Sequence, residues 1–431
     1  MASHGRVLVL EQDAQLRDSL CGWPGDRGFE SLAAGSKREA VDLALRRTPE
    51  MAVVESPESA AELAADLGFA VSLPLPMLVL GGQTGGADWT WTESVARPPR
   101  PAELLGRVES LSRLIAMQRE LSRRAATAES FGAIGRWQLR PAAAAGPMHL
   151  LLVSALPEDR ELCAAAAATL EVADEPARAL PLLDSGSFDA VLLDHGAAPD
   201  AALLLLSDMR RNTRLYGMPV LLLTTRERTP TPDELYARGA SDVVWRPVAT
   251  ADLGFRLRHQ VRQNRFILAL KASFREPQPA PIVDAATGLF NHGFLHAHLD
   301  RLIADARIFD RPLSVASLDV TGMRHVNERH GYAIGDRILR QVGGLLGNLI
   351  RAEDLPARLA GAAFTVALPN TPVGAASNVL RRLAGVINYT DFSIEGVPHP
   401  VNVRLRCGLA SLQPGDDAGR LVARALENLG Q

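Results

Sequence analysis

The strongest constraint on the fold is a block of short apolar strands and helical-period segments that occurs twice before residue 265. The first block opens with RVLVLEQD at Arg6, and its second buried strand ends at Glu55. The second block opens with HLLLVSA at His149, and its corresponding strand ends at Asp194. Each block then has another apolar strand and an Arg-Pro pair. Two copies of one α/β domain, each with a parallel sheet, explain this repetition.

The composition predicts packed domains in a reducing compartment. A length of 431 residues corresponds to roughly three domains. The chain is 47% hydrophobic with a net charge of −3, which argues against binding to DNA or acidic lipid along its whole length. Three widely separated cysteines and the lack of an apolar run of about 18 residues predict a cytoplasmic protein without a transmembrane helix.

A third region begins near Ile282, after the Pro-rich break REPQPAP. It contains the strand LSVASLD, the helix GDRILRQVGGLLGNLI and the strand NVRLRCGLASL. Between them lies RLAGAAF, from Arg358 to Phe364, where a short Ala-Gly-Ala-Ala segment separates two strand patterns. That spacing predicts a tight hairpin. We therefore expect helices on a mostly antiparallel sheet in this region.

The order of strands, acidic residues and Arg-Pro pairs in both copies resembles the receiver domain of two-component response regulators. That resemblance implies a flavodoxin-like parallel sheet in each copy. It also implies an acidic pair that binds Mg²⁺ and an Asp that accepts a phosphoryl group, because a carboxylate nucleophile needs cations to neutralise the phosphoryl oxygens.

The first copy departs from the receiver pattern at its acceptor position. Glu11 and Asp13 match the metal-binding acids, but Glu55 stands where the acceptor Asp belongs. Gly81 replaces the Thr, and Arg97 replaces the Lys. Decay of the site and imitation of a permanent negative charge both remain open, whereas phosphorylation is not expected.

The second copy keeps Asp194 and Thr224 but has Ser154 and Ala155 in place of the acidic pair and Arg246 in place of the Lys. Without paired carboxylates we expect no hard cation to bind. Asp194 is therefore interpreted, like the first copy's Glu55, as a vestigial phosphoryl-acceptor position. Both copies are predicted to act as scaffolds and to form a homodimer.

Three motifs in the third region resemble the GGDEF domain of diguanylate cyclases. They are DAATGLFN from Asp284, LDVTGMRHVNERHGYAIGD from Leu318 and RAEDLPARLAGAAF from Arg351. The match spans about residues 282 to 431, and its three ordered motifs make it specific. With two receiver-like copies ahead of this domain, the whole chain resembles PleD-type response regulators.

The resemblance implies an altered site for cyclic di-GMP synthesis, a reaction that needs Mg²⁺ held by carboxylates. Asp319 matches a metal ligand, while Ala362 and Ala363 stand where the hairpin acids belong. Asn327 and Asp336 match the residues that read guanine. We therefore expect a degenerate GGDEF domain that binds no metal and is not an enzyme. The residues of this altered site are Ala360, Gly361, Ala362, Ala363, Phe364, Asp319, Asn327 and Asp336.

A second nucleotide site is implied by the RxxD sequence of Arg351 and Asp354, with Arg382 on the following helix. In the GGDEF family this pattern binds cyclic di-GMP. An arginine fork suits guanine O6 and N7, and an aspartate accepts from the guanine N–H groups. The family often adds a third arginine to this site, but Asp305 stands at the matching position in this sequence. The alternative is a solvated ion pair contributing roughly 0.3 to 0.5 kcal/mol.

These patterns favour a cyclic di-GMP effector that recruits protein partners in bacterial cell-cycle signalling and has no other cofactor. A resemblance to catalytically silent relatives of PleD-type response regulators implies adaptors of the ClpXP protease and cell-cycle regulators as partners, regulated proteolysis as an outcome, and the cell pole as a location. Two alternatives are a residual diguanylate cyclase and a structural hub without a ligand. The predicted boundaries are 1–124 and 148–272 for the receiver-like domains, 125–147 and 273–281 for linkers, and 282–431 for the third domain.

Overall fold

The computed structural model describes residues 5–68, 75–81, 92–95, 97–133, 146–165, 169–212, 214–225, 231–276, 278–395, 397 and 399–430. The first unit alternates strands and helices, as the apolar runs predict. Its elements are β1 (Arg6–Leu10), α1 (Ala14–Asp26), β2 (Glu30–Ala34), α2 (Lys37–Arg47), β3 (Met51–Val54), α3 (Pro57–Leu67), β4 (Met77–Leu80), β5 (Thr92–Val95) and α4 (Pro101–Glu129).

The first sheet is parallel, with the order β2-β1-β3-β4-β5. Its central strands are buried along their whole length, which explains their continuous apolar sequences. Because β1 and β3 are neighbours, their carboxyl ends bring Glu11 and Glu55 to the same edge of the sheet.

The second unit repeats this arrangement. Its elements are β6 (His149–Val153), α5 (Pro157–Ala164), β7 (Thr169–Ala173), α6 (Pro176–Ser185), β8 (Ala190–Asp194), α7 (Pro199–Arg211), β9 (Val220–Thr224), α8 (Pro232–Ala237), β10 (Asp242–Trp245) and α9 (Thr250–Arg275). The sheet order is β7-β6-β8-β9-β10, the same as in the first unit. The predicted duplication of a parallel-sheet domain is confirmed.

Helix α4 is central to the packing of the chain. It contacts α8 and α9 of the second unit and α10 of the third. At the contact between the first two units, the buried Arg107 guanidinium lies 3.6 Å from Glu93 and 3.9 Å from Asp242. The two repeated units therefore pack on each other within one chain, while the homodimer stays a prediction.

The third unit has a four-stranded antiparallel sheet with the order β12-β13-β11-β14. Its elements are α10 (His292–Ile308), β11 (Leu313–Thr321), α11 (Met323–His330), α12 (Tyr332–Leu349), β12 (Leu355–Ala360), β13 (Ala363–Pro369), α13 (Val373–Asn388), β14 (Arg404–Ser411) and α14 (Ala418–Glu427). The fold class predicted from the sequence, two parallel-sheet α/β domains followed by an α+β domain, is confirmed.

The predicted hairpin is the β12–β13 pair. Gly361 has a φ of 56°, a left-handed conformation that glycine adopts without strain. Arg358 donates to the carbonyl oxygen of Gly361 from Nε at 3.0 Å and Nη2 at 2.8 Å. Another Arg358 nitrogen pairs with Asp284 at 2.9 Å. The tip of this hairpin is therefore held by an arginine of its own strand and tied to the DAATGLFN motif.

The predicted linkers begin within long helices. α4 continues through Glu129, so the first residues of the predicted 125–147 linker are helical, and residues 134–145 of it lie outside the described residues. α9 continues through Arg275, three residues beyond the predicted end of the second domain. Among the described helices, none combines the length and apolar character that a membrane span needs.

Candidate functional site

The acceptor position of the first unit is occupied by a network of internal hydrogen bonds. The Glu55 carboxylate accepts from Gln12, through its backbone nitrogen at 3.1 Å and its side-chain amide at 3.0 Å. The Ser59 hydroxyl donates to the same carboxylate at 3.1 Å. Arg97 pairs with Glu11 at 2.6 Å and donates to the Glu55 carbonyl oxygen at 3.1 Å. The structure therefore gathers Glu11, Glu55 and Arg97, as the sequence predicts.

The carboxylate of Asp13, the second residue that matches the metal-binding acids, is engaged at the start of a helix. It caps α1 by accepting from the backbone nitrogens of Gln15 at 2.9 Å and Leu16 at 3.1 Å. A capping carboxylate stabilises the positive end of a helix. Gly81, at the end of β4, has a φ of 69°.

The second unit contains a carboxylate that sequence reasoning missed. Asp159, in the first turn of α5, is 1% exposed and accepts from the Ser154 hydroxyl at 2.6 Å. Arg246 binds Asp159 through both terminal nitrogens at 2.5 Å and lies 3.2 Å from Asp194. The expectation that this pocket lacks paired carboxylates is therefore corrected, because a helix supplies the second one in place of Ala155.

A guanidinium occupies the space between these two carboxylates. Asp194 accepts from the backbone nitrogen of Gly196 at 2.9 Å, and its second oxygen is buried without a partner among the described residues. Burial raises the pKa of Asp159, while Ser154 and Arg246 act in the opposite direction. Thr224 bonds to His195 Nδ1 at 3.2 Å. Within the described ranges, no three metal-binding side chains converge on one point.

In the predicted synthesis site of the third unit, Asp319 of β11 lies beside the hairpin. Asp319 lies opposite Ala363 in the β11–β13 register. Its carboxylate pairs with Arg406 of β14 at 2.6 Å. Ala360 and Gly361 are exposed at the hairpin tip, and Phe364 is fully buried in the core. The carboxylate of the predicted synthesis site is therefore paired with an arginine, while the assignment of this site stays a prediction.

The two residues that match guanine-reading positions lie on neighbouring helices. Asn327 is on α11, and its Oδ1 is buried without a hydrogen-bond partner in the described structure. That oxygen lies so close to Gly335 that a Cβ there would be 1.9 Å away. Asp336 is exposed on the next position of α12. Glycine at 335 therefore leaves the space that the Asn327 side chain occupies.

Arg351, Asp354 and Arg382 gather around the end of α12. Asp354 Oδ2 accepts from the backbone nitrogen of Arg351 at 2.9 Å, and the Asp354 nitrogen donates to the Arg351 carbonyl oxygen at 3.2 Å. Arg382, on α13, donates to the carbonyl oxygen of Leu349 at 2.6 Å. The segment from Arg351 to Asp354 therefore forms a closed loop with a second arginine beside it. We call this segment the RxxD loop.

The Asp354 carboxyl is almost completely buried. Asp354 is 3% exposed, and its Oδ1 has no hydrogen-bond partner among the described residues. Burial raises the pKa of Asp354 to about 7, although the hydrogen bond from the Arg351 nitrogen favours the ionised form. Glu353 raises the pKa further, while the Arg351 and Arg124 charges lower it. This carboxyl is therefore poised to ionise near neutral pH.

The RxxD loop borders a cleft of about 670 Å³. Its walls come from α4, α9, the segment before α10, α12 and the loop itself. Among the described residues, four basic side chains that line it make no hydrogen bond or ion pair. They are Arg113, Lys271, Arg275 and Arg351. Burial lowers the pKa of Lys271, and the Arg113 and Arg275 charges act in the same direction. The cleft is therefore suited to an anion.

Sequence reasoning missed Arg113, Lys271 and Arg275 because they lie on two helices of the repeated units, far from the RxxD sequence. No local spacing relates them to Arg351. Asp305, which stands where the family often has a third arginine, lies against α4, and its carboxylate pairs with Arg123 at 3.0 Å. Only the packing of three units onto one another creates this cleft.

Comparison with known proteins assigns the third unit. Residues 281–431 match the family model described as "Diguanylate cyclase, GGDEF domain". Response regulator PleD of Caulobacter vibrioides is 25% identical over 359 residues, covering 82% of this chain and 77% of PleD. Diguanylate cyclase DgcP of Pseudomonas aeruginosa is 28% identical over 154 residues, covering 36% of this chain and 22% of DgcP.

Solved structures of GGDEF domains were also found. The coiled coil and GGDEF domain of DgcB from Caulobacter crescentus, solved in complex with c-di-GMP, is 22% identical with a TM-score of 0.33. This match covers 34% of the present protein and 77% of the DgcB chain. Diguanylate cyclase SiaD from Pseudomonas aeruginosa, solved with its activator SiaC, is 25% identical with a TM-score of 0.34. This match covers 38% of the present protein and 60% of the SiaD chain.

These matches correct one expectation. From Ala362 and Ala363 we predicted that the chain is not an enzyme, and this prediction is wrong. The third unit matches a family of diguanylate cyclases, and its relatives include a protein named as one. Two substituted hairpin positions do not outweigh that relationship. Residues 281–431 are therefore a GGDEF domain, which follows two parallel-sheet α/β domains in a chain similar to response regulator PleD over most of its length.

Proposed function

We propose that this protein binds cyclic di-GMP in the cleft beside the RxxD loop and acts as an effector of that nucleotide. The observation that carries this proposal is that one cleft combines four cations with a buried carboxylate oxygen, none of which has a partner among the described residues. The volume of about 670 Å³ lies within the range of roughly 300–1,000 Å³ typical of small-molecule sites.

The chemistry of the cleft fits both parts of a cyclic dinucleotide. Its two phosphodiesters would be neutralised by the lysine and arginines of α4 and α9. The Arg351 guanidinium in the cleft, and that of Arg382 on the neighbouring α13, can donate to guanine O6 and N7 as planar forks and stack on the purine face. Asp354 Oδ1, which lacks a partner among the described residues, can accept from the guanine N–H groups. Each unsatisfied group would thus gain a partner.

In this proposal the ligand-bound form docks protein partners. The role is similar to that of proteins resembling PopA, which act at the cell pole in cell-cycle control and help to deliver regulatory proteins to the ClpXP protease. A cytoplasmic, homodimeric form of the chain belongs to the same proposal. What supports it is the PleD-like order of the three units together with the basic cleft.

Isothermal titration with cyclic di-GMP tests the proposal. We expect saturable binding by the native chain and a loss of at least tenfold in affinity for Arg351→Ala, since charged hydrogen bonds contribute about 1.5 to 3 kcal/mol. Arg324→Ala is the matched control, because Arg324 lies exposed on α11 and pairs with Glu328. No heat with the native chain would favour a structural hub, and equal affinity for both variants would contradict the assigned site.

Synthesis of cyclic di-GMP from GTP is the second candidate function. Asn327 favours it, because this residue matches a guanine-reading position and its Oδ1 has no hydrogen-bond partner among the described residues. Asp319 at the end of β11 offers a carboxylate for Mg²⁺. Incubation with GTP and Mg²⁺, followed by chromatography, would reveal the product. We expect Asn327→Ala to abolish any synthesis, whereas no product from the native chain would exclude this candidate.

A further inference from the structure

A buried arginine of the first unit reaches the RxxD loop of the GGDEF domain. Arg124, on α4, is 3% exposed. Its Nη2 donates to the carbonyl oxygens of Asp354 at 2.9 Å and Ala352 at 3.2 Å. Its Nε donates to Glu120 at 2.7 Å. One guanidinium therefore links α4 to the backbone of the loop that carries Arg351 and Asp354.

Two aromatic rings hold this guanidinium in place. It lies over Phe274 of α9 at 4.7 Å and over Phe290, before α10, at 5.5 Å. Cation–π contacts of this kind stabilise an arginine most when it is desolvated. Arg124 therefore sits at a point where all three units meet.

Glu120 is itself held by groups from two helices. His298 Nε2 of α10 lies 2.9 Å from its carboxylate, and Arg123 pairs with it at 3.0 Å. His298 Nδ1 lies 3.1 Å from the Thr127 hydroxyl. Burial opposes ionisation of Glu120, but the His298 and arginine contacts hold its pKa well below the usual range. A buried carboxylate anchored in this way leaves Arg124 little rotational freedom.

Among the described residues, two hydrogen bonds close the RxxD loop from within: the Arg351 nitrogen donates to Asp354 Oδ2, and the Asp354 nitrogen donates to the Arg351 carbonyl oxygen. Arg124 adds two more, to the backbone carbonyls of Ala352 and Asp354. The two carbonyl groups that Arg124 binds flank Glu353. These carbonyls belong to two peptides of the RxxD loop, one between Arg351 and Asp354 and one directly after Asp354. Fixing both peptides restricts the backbone that carries the two side chains.

We propose that Arg124 is a positioning residue, through which α4 of the first unit holds the RxxD loop in the conformation that binds a cyclic dinucleotide. The ligand part of this inference rests on the function proposed above. The affinity of the cleft thereby depends on the docking of a helix from the receiver-like unit against the GGDEF domain.

The test compares Arg124→Met with Arg123→Met in the full chain. Both variants remove an arginine that pairs with Glu120, but only Arg124 reaches the loop. Affinity for cyclic di-GMP is measured by titration, and loop order by hydrogen exchange of the backbone amides from residue 350 to 355. We expect Arg124→Met to weaken binding about tenfold or more and to speed exchange in the loop. Arg123→Met should stay within about twofold in affinity.

Each result decides the inference. Unchanged loop exchange in Arg124→Met would overturn it, as would faster exchange with unchanged affinity. If the native chain binds no cyclic di-GMP, the proposed function fails, and the exchange data alone then decide whether Arg124 positions the loop. Should Arg124→Met fail to fold, Arg124→Lys replaces it. Lysine keeps the charge but lacks the fork, so the same weakening and faster exchange are expected.

Discussion

Replacement of Asp354 by asparagine is expected to stabilise the protein at alkaline pH while removing cyclic di-GMP binding. The Asp354 carboxyl is 3% exposed and its Oδ1 has no partner among the described residues. Burial raises its pKa from the usual 3.8 to about 7. Asparagine keeps an oxygen that can accept from the Arg351 nitrogen, but it carries no charge that must be desolvated.

The magnitude follows from proton linkage. The unfolded chain releases the Asp354 proton near pH 3.8, whereas the folded chain keeps it until about pH 7. Between these values the folded state binds more protons, so the stability of the native protein falls as pH rises. The loss reaches about 1.4 kcal/mol per pH unit and about 4 kcal/mol in total above pH 7. In Asp354→Asn this contribution is absent at every pH.

Urea unfolding followed by far-ultraviolet circular dichroism at pH 5 and pH 8.5 provides the measurement. The free energy of unfolding of Asp354→Asn, minus that of the native protein, should be more positive at pH 8.5 by about 2 to 3 kcal/mol. Contributions from all other titrating groups cancel in this difference. The same difference at both pH values, or a larger one at pH 5, would refute the argument from burial.

Ligand affinity should have the opposite pH dependence. An ionised Asp354 accepts from the guanine N–H groups, so binding of cyclic di-GMP draws a proton off the carboxyl below pH 7. The dissociation constant should therefore rise up to tenfold for each unit of pH below about 7 and be constant above it. Titration at pH 6, 7 and 8 checks this, and a flat profile would remove Asp354 from the site.

Three further predictions concern the rest of the chain. Arg246→Met leaves two buried carboxylates without their cation and should lower the free energy of unfolding by about 3 kcal/mol, measured in urea against Arg246→Lys. A Cβ at Gly408 would lie 2.1 Å from a backbone oxygen of α14, so Gly408→Ala should lower the free energy of unfolding by about 2 kcal/mol or more. A Cβ at Gly385 would meet nothing within 4 Å, so Gly385→Ala should stabilise α13 by about 0.5 kcal/mol in thermal melts. Asp194→Asn should leave the sedimentation coefficient of the protein unchanged, and labelling of Asp194 by acetyl phosphate would contradict its assignment as a scaffold residue.

The repeated units were predictable because their information is local. Apolar runs such as those of β1 and β6 specify buried strands. Within each unit a helix follows each strand, and this alternation predicts parallel strands joined by helical crossovers. The hairpin could be predicted because Gly361 provides the turn conformation between two alternating segments. Edge strands were less evident, since β2 and β7 are only partly buried and lack a continuous apolar sequence.

The sites were only partly predictable. The RxxD loop is a local pattern, and its two residues do contact each other. Asp159 was missed because it enters its pocket from the first turn of a helix, four residues past the expected position. Its closeness to Arg246 arises because β10 ends and α5 begins at the same edge of the second sheet, which no spacing along the chain expresses.

The amino-acid sequence by itself determined the order of the three units, their sheet types and the presence of the RxxD loop, because strand periodicity and turn chemistry act over a few residues. The tertiary structure alone decided that Arg113, Lys271 and Arg275 line the same cleft and that Arg124 binds the loop carbonyls. All four residues lie more than seventy positions from the loop along the chain. They meet at the cleft because α4 packs against the third unit, and this packing brings Arg124 within hydrogen-bonding distance of the loop.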